Sequence, residues 1–253
     1  PLATTGGSAP GNAVIFSASD EASGSYYYKV MVRNDGKLWV RQRGTQNEDY
    51  DLKSTTAIKD DVWTHIAVES NGSAIKMYIN GVSDTVVLDG PGGGANNGDW
   101  FGDFDTNPLD NVSIGAEFND GGASSFFKGE IADVRYYNAN MDDFFDVVSS
   151  KIGATTINDA TYMQHQWKLN KATLDASNLG EDTGIHATDI DLTPTNIVAG
   201  DIVYDAFSVN VQDGYDGSDA ATRTQTDGTL TETQGKVEGK ALSSLTFDGT
   251  NDD

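Results

Sequence analysis

The chain has 253 residues, enough for one large β domain or two small ones with a real core. It has no Cys, which excludes a disulfide-stapled scaffold. Asp and Glu number 39 against 16 Lys and Arg, a net charge of −23, which repels nucleic acid and anionic membranes and attracts divalent cations. No apolar run approaches the length of a membrane span, so no membrane insertion is expected. The chain opens on Pro1 without a leader-like run, so it is expected to be processed or part of something longer.

Residues 1–12 are rich in Gly, Thr and Ala and read as loop, and a short strand follows over Ala13 to Ala18. From Ser25 to Arg33, Tyr26, Tyr28, Val30 and Val32 alternate with Tyr27, Lys29, Met31 and Arg33, the period of a half-buried strand. Asn34-Asp35-Gly36 turns the chain, and Lys37 to Arg43 returns as the hairpin partner. Asn47 to Lys59 is polar and carries an edge strand at most.

Val62 to Asn80 organises everything around it. Ile75, Met77 and Ile79 share one face of a strand, with Lys76 and Tyr78 on the other. Asn71-Gly72 tolerates the positive φ angles of a hairpin turn, and Asn80-Gly81 closes the second strand. The first strand has apolar groups on both sides, with Trp63, His65 and Ala67 alternating with Val62, Ile66 and Val68, and is expected to be covered on both faces. Asp84 to Leu88 continues as strand.

Asp89 to Asn111 has no period and is dense in Gly, Asn and Asp, and a loop this long inside a compact domain commonly serves function. Its spacing Asp103-x-Asp105-x-Asn107, with Asp110 nearby, offers hard oxygen ligands that suit Ca²⁺. It lacks the Gly and Glu of an EF-hand, with Pro108 where the Gly would stand, and a solvated acidic loop with Asx turns is the alternative. Trp100, Phe101 and Phe104 lie in the same loop; such rings stack on a sugar, tuck under the loop or meet a neighbouring subunit. Val112 to Phe118 and Phe126 to Tyr137 read as closing strands, and Met141 to Val148 as a short helix opening on acidic residues.

The succession WTHIAV, NG, IKMYING, SIGA (Ser113 to Ala116) and FKGEIADVRYYN (Phe127 to Asn138) resembles the concanavalin A-like, laminin-G-type jelly roll over Val14 to Ser150. The resemblance implies an all-β fold, a two-sheet antiparallel jelly-roll sandwich with one short helix at most. It also gives the second part a place. HQWKL (His165 to Leu169) with Asp175-Ala176-Ser177 resembles the opening strand of such a domain, and Gly235 to Asp248 with Thr250-Asn251-Asp252 the element after it. Residues 1–150 therefore resemble the back of a jelly roll and residues 151–253 the front, either one permuted domain or a piece of a tandem array. Strand-like Ile202 to Val211 lies between.

Some glucanases share this fold and carry closely spaced acids along one strand. The nearest pair here, Glu130 and Asp133, is three residues apart and would point to opposite strand faces. No Ser-His-Asp or zinc spacing is visible, so no catalytic residue is assigned and the chain is read as no enzyme. The expected role is adhesive or structural, on a bacterial cell surface or a virus particle as a decoration or fibre component. Expected partners are copies of itself, neighbouring repeats or virion proteins, and surface glycans. A carbohydrate-binding module of a secreted enzyme is the rival reading, and a glycoside hydrolase the third.

Overall fold

The computed structural model describes residues 11–44, 50–58, 64–80, 82–89, 95–100, 109–138, 162–167, 169, 180–188 and 190–193, and the backbone alone of 202–203, 209–210, 230–231, 236–237 and 244–248. The strands of the first part are β1 (Ala13–Ser19), β2 (Tyr27–Val32), β3 (Lys37–Arg43), β4 (Tyr50–Ala57), β5 (Ile66–Ser70), β6 (Ile75–Ile79), β7 (Val82–Asp84), β8 (Val86–Leu88) and β9 (Asn111–Ile114). Then come β10 (Glu117–Asn119), β11 (Gly122–Ser124), β12 (Lys128–Ile131), β13 (Val134–Tyr137) and β14 (Met163–Trp167). The last are β15 (Ile202–Val203), β16 (Val209–Asn210), β17 (Leu230–Thr231), β18 (Lys236–Val237) and β19 (Ser244–Asp248). There is no helix among the described residues; the expected helix over Met141 to Val148 lies outside them, as does Trp63.

The fold is an all-β sandwich of antiparallel sheets. One layer is a six-stranded sheet in the order β8-β4-β3-β2-β1-β9. Alternation aims Tyr28, Val30 and Val32 of β2, Leu38 and Val40 of β3, and Tyr50 and Leu52 of β4 at a single core. The sheet β5-β6-β7 meets them with Ile75, Met77 and Ile79, the apolar face legible in the sequence. Burying each such side chain contributes about 1.5–3 kcal/mol. Further along, Phe127, Ile131 and Trp167 pack with Ile114 and against Phe16 of the six-stranded sheet.

The β5–β6 hairpin turns where expected. Gly72 has φ +74°, and Asn71 Oδ1 accepts the amides of Ser73 and Ala74. At the far end Asn80, at φ +50°, ties the pair shut: its amide donates to the His65 carbonyl at 2.8 Å and its side chain accepts the His65 amide at 2.9 Å.

Three expectations are corrected. β4 is no edge strand; it lies between β3 and β8 and runs for eight residues. Its inward positions include Ser54, whose hydroxyl accepts the Leu38 amide at 3.1 Å, so polarity there conceals burial. β5 is half-buried along its length, not covered on both faces. Val112 to Phe118 does not form one strand: Gly115, at φ +84°, separates β9 from β10, which turns at Asp120 and Gly121 into the short β11.

The second part of the chain is stitched to the first. β14 pairs antiparallel with β13, from Val134 opposite Trp167 to Tyr137 opposite Met163, and β19 pairs with β12 from Lys128 opposite Asp248 to Ile131 opposite Leu245. Gln166 Nε2 donates to Asp133 Oδ1, which also accepts from Arg135 Nε, both at 2.8 Å. We propose that residues 151–253 complete the sandwich begun by residues 1–150, as one permuted domain. Expressed alone, residues 151–253 should show no cooperative melt, because their strands lack the sheet that covers an apolar face; a sharp transition in the isolated segment would overturn this.

His65, beside this seam, makes folding sensitive to pH. Burial first, and then the Arg135 guanidinium, push its imidazole below the ordinary 6.5, against the opposite pull of Asp133. The unfolded chain therefore takes up a proton that the folded chain refuses, and the contribution is intact above pH 6.5 and lost as the pH falls below it. Melting temperatures at pH 7.5 and 5.5, compared between wild type and His65→Gln, should show a smaller acid-side loss in the variant. Equal losses would remove His65 from the account.

Candidate functional site

The Gly-rich loop is docked on the β5–β6 hairpin where it approaches Trp100. Asn96 clamps Ile75 through both amide atoms, accepting its N–H at 2.6 Å and donating to its carbonyl at 3.0 Å. Ser70 donates to the Gly98 carbonyl. Gly98 has φ +83°, and a Cβ there would stand 2.5 Å from the Ser73 nitrogen, so the approach requires glycine. The Tyr50 hydroxyl shares its proton between Gln42 Oε1 at 2.9 Å and the Asp99 carbonyl at 2.8 Å.

This anchorage turns Trp100 inward. Its ring meets Tyr28 edge-on, centroids 4.9 Å apart at 66°, and it packs half-buried against the main core. A ring so held closes the end of the sandwich, which is the tucked-under alternative among the three that the sequence leaves open. Asp110 Oδ1 accepts the Glu21 amide at 2.8 Å and so ties β9 to the turn between β1 and β2. Phe101, Phe104, Asp103, Asp105 and Asn107 lie outside the described residues. Among the described residues no group of three His, Asp or Glu is placed to hold a metal ion.

The six-stranded sheet has a second face, turned away from the core, on which register aligns three rows of side chains. One row runs Asn111, Ser19, Tyr27, Arg43. The next runs Ser113, Ser17, Lys29, Arg41, Asp51. The third runs Val14, Met31, Trp39, Lys53. Val14, Met31 and Trp39 form an apolar cluster of their own. Above it lie cations: the Arg33 guanidinium is 4.3 Å from the Trp39 ring centre and Lys53 Nζ 5.2 Å. Lys29 Nζ stands 3.7 Å over the Tyr27 ring. Trp39 Nε1 donates to Asp35 Oδ1 at 3.1 Å, which fixes the indole.

Charges on this face are matched in pairs. Lys29 bonds Glu117, which also accepts from Asn119 and Ser125. Burial pulls the Lys29 ammonium down from its ordinary value, against the opposing charge and hydrogen bond of Glu117. Arg41 Nε bonds Asp51 Oδ1 at 2.8 Å, and Lys53 bonds Asp89. Ser17 and Ser113 hydroxyls meet at 3.0 Å. Much of this face is itself covered: Ser17, Ser19, Tyr27, Lys29, Met31 and Trp39 are buried, and Arg33, Arg41, Lys53 and Arg43 are its more exposed groups. Each carboxylate of the face, Asp51 and Glu117, is taken by its own cation. Elsewhere Asp133, at φ +55°, is gripped by Arg135 through two nitrogens, and Glu130 sits in β12 opposite Thr246. The alternation of Tyr27, Lys29, Met31 and Arg33 was the signal for this face, but charged residues at outward positions read as solvated surface.

The antiparallel layers have the arrangement of a jelly-roll sandwich. A laminin G family model, described as the concanavalin A-like lectin/glucanases superfamily, matches residues 5–143, more than half of the chain, and the chain belongs to this family. No curated protein sequence matches it. Among solved structures, the CBM40 of Ruminococcus gnavus IT-sialidase, bound to α2,3-sialyllactose, is 21% identical with a TM-score of 0.39, over 50% of this chain and 66% of that one. The match thus spans just under two thirds of that chain's length. The leech intramolecular trans-sialidase complexed with 2,7-anhydro-Neu5Ac is 18% identical, TM-score 0.36, over 50% of this chain and 19% of that one. An S-layer domain-containing protein from Clostridium thermocellum is 21% identical, TM-score 0.28, over 56% of this chain and 63% of that one. None of these likenesses carries a function across to this chain.

Proposed function

We propose that the chain is a non-catalytic glycan-binding module that works outside the cell, with its ligand on the outward face of the six-stranded sheet. The observation that supports this reading is the set of partly or fully exposed cations, Arg33, Arg41, Lys53 and Arg43, that edges the buried Trp39 and Tyr27 rings on this face. The pairing of Asp51 with Arg41 and of Glu117 with Lys29 speaks against hydrolysis, which needs one carboxyl to deliver a proton and a second to attack. This reading takes precedence over a purely structural role on a virion or cell surface. The structural role draws support from Val82, Val87 and Leu88, exposed where β7 and β8 pass from one layer to the other, an edge suited to a neighbouring copy. Among the described residues no helix is long and apolar enough to cross a membrane.

The test is a glycan array probed with the whole chain. At least one class of saccharide should be retained, and competed by the same free saccharide. Silence across neutral and acidic glycans alike would overturn the reading.

Calcium belongs to this proposal too. Asp103, Asp105, Asn107 and Asp110 would take the ion, ordering the loop that carries Trp100, Phe101 and Phe104. Binding to the folded state alone raises stability by about 2.7 kcal/mol at a hundredfold excess over Kd. The melting temperature should rise with calcium, fall with chelator, and stop responding in Asp105→Ala. A wild-type melt indifferent to calcium would mean a plain acidic loop.

A further inference from the structure

Asn-Gly pairs occur at Asn71-Gly72, Asn80-Gly81 and Asn97-Gly98. In such a pair the glycine nitrogen can close a five-membered ring on the asparagine side chain, because no Cβ shields it. The fold treats the three differently. Asn71 and Gly72 are exposed at the tip of the β5–β6 hairpin, and nothing lies within 4 Å of the place a Gly72 Cβ would take. Asn71 Oδ1 accepts the Ser73 amide at 3.0 Å and the Ala74 amide at 2.9 Å. The Gly72 N–H donates to Ser70 Oγ at 3.2 Å. The carbonyl to be attacked is thus polarised by two donors, and the attacking nitrogen is hydrogen-bonded through its own proton.

We propose that Asn71 is a site of self-modification, where the chain converts its own asparagine to isoaspartate and aspartate. Hydroxide removes the Gly72 amide proton, and the nitrogen's electron pair attacks Asn71 Cγ. Negative charge gathers on Oδ1, where the Ser73 and Ala74 amides already point, the arrangement that stabilises an oxyanion. The Cγ–Nδ2 bond breaks, and Nδ2 takes a proton from water and leaves as ammonia. Water then opens the succinimide at either carbonyl. One opening gives aspartate; the other gives isoaspartate, whose main chain runs through the side-chain methylene. One water is consumed and one ammonia released, with no change of oxidation state.

The other pairs are less favoured. Asn97 Nδ2 donates to Asp99 Oδ2 at 2.6 Å, and a carboxylate so near opposes negative charge on that side chain. Gly98 is buried against the hairpin. Asn80 is pinned to His65 through both its main-chain amide and its side-chain oxygen. Modification at Asn71 has a structural consequence. Gly98 rests on the backbone of residues 72–74, whose atoms come within 2.5–2.9 Å of where its Cβ would stand. A methylene inserted at residue 71 shifts that backbone and unseats Gly98, and with it the approach that aims Trp100 at Tyr28.

The experiment ages the whole chain at pH 8.5, in buffer and in concentrated urea, with peptide mass mapping over time. It needs no ligand and stands apart from glycan binding. In buffer the amide-to-acid mass gain should appear at Asn71 at least tenfold faster than at Asn80 or Asn97. In urea, where only local sequence acts, that lead should shrink. Isoaspartate-specific methylation should label the Asn71 peptide. Hydrogen exchange over residues 96–100 should quicken in the isoaspartate fraction and stay slow in Asn71→Asp, which keeps the main-chain length. Equal gains at the three pairs in buffer, or a first gain at Asn80 or Asn97, would overturn the proposal. A lead as large in urea would place the cause in local sequence and overturn the part given to the turn. Unchanged exchange over 96–100 in the isoaspartate fraction would overturn the consequence for the loop.

Discussion

Asp182→Ala should destabilise the fold by about 3–5 kcal/mol, far more than a surface carboxylate is worth. Asp182 is buried, and its carboxylate is the hub of the segment beyond β14. Oδ1 accepts the Gln166 and Gly184 amides, both at 2.9 Å, and Oδ2 meets His165 Nδ1 at 2.5 Å and the Ile190 amide at 3.1 Å. Burial opposes ionisation, yet the bonds from His165, Gln166, Gly184 and Ile190 together hold the carboxyl below its ordinary 3.8. Alanine strands three backbone donors and an imidazole at once. The sign of the pH dependence follows: the advantage of wild type over Asp182→Ala is full above pH 3.8 and is lost as the pH falls through the lower folded value. Urea titrations at pH 7 and pH 3 would show it. A difference under about 1 kcal/mol at pH 7 would mean that the segment is not held by this hub.

Trp167→Ala should cost about as much, 3–5 kcal/mol, for a different reason. The indole is 1% exposed and fills the second core with Phe127, Ile131 and Ile114. It stacks on His165 at 5.7 Å and 13°, lies 6.4 Å from Phe16, and donates Nε1–H to the Ile190 carbonyl at 2.7 Å. Truncation leaves a cavity shared by β1, β9, β12 and β14, so the loss is felt in both parts of the chain. Trp167→Phe retains much of the volume and loses the hydrogen bond, and should cost about 1–2 kcal/mol. If Trp167→Ala unfolded in two separate steps, the parts would be independent and the single-domain proposal would fail.

Local alternation made the hairpins legible, because each strand announces its own faces. Ile75, Met77 and Ile79 are buried together, and Tyr28, Val30 and Val32 oppose Lys29 and Met31 across β2 as the period requires. The order of these motifs carried the family. What stayed hidden depends on partners far away in sequence. Lys29 reads as a solvated lysine, yet Glu117, 88 residues on, takes its charge and buries it. Ser54 reads as a polar edge, yet its hydroxyl caps Leu38 and hides β4 among its neighbours. Trp100 sits in a sequence of Gly and Asp that leaves its direction open, and only the clamp of Asn96 on Ile75 shows that it turns onto Tyr28. The ion pairs and rings of the sheet's second face needed the register of β2, β3 and β4 before they could be seen together.

The central claim is that ligand meets this chain on the outward face of the six-stranded sheet. Amide chemical-shift mapping of the whole chain, titrated with a saccharide retained on the array, tests it most directly. The account predicts that the largest saturable shifts fall on residues 27–33, 37–43 and 51–53, with those of 95–100 and of the β5–β6 hairpin left in place. Shifts concentrated around Trp100 and Asp110, with β2 and β3 unmoved, would contradict it.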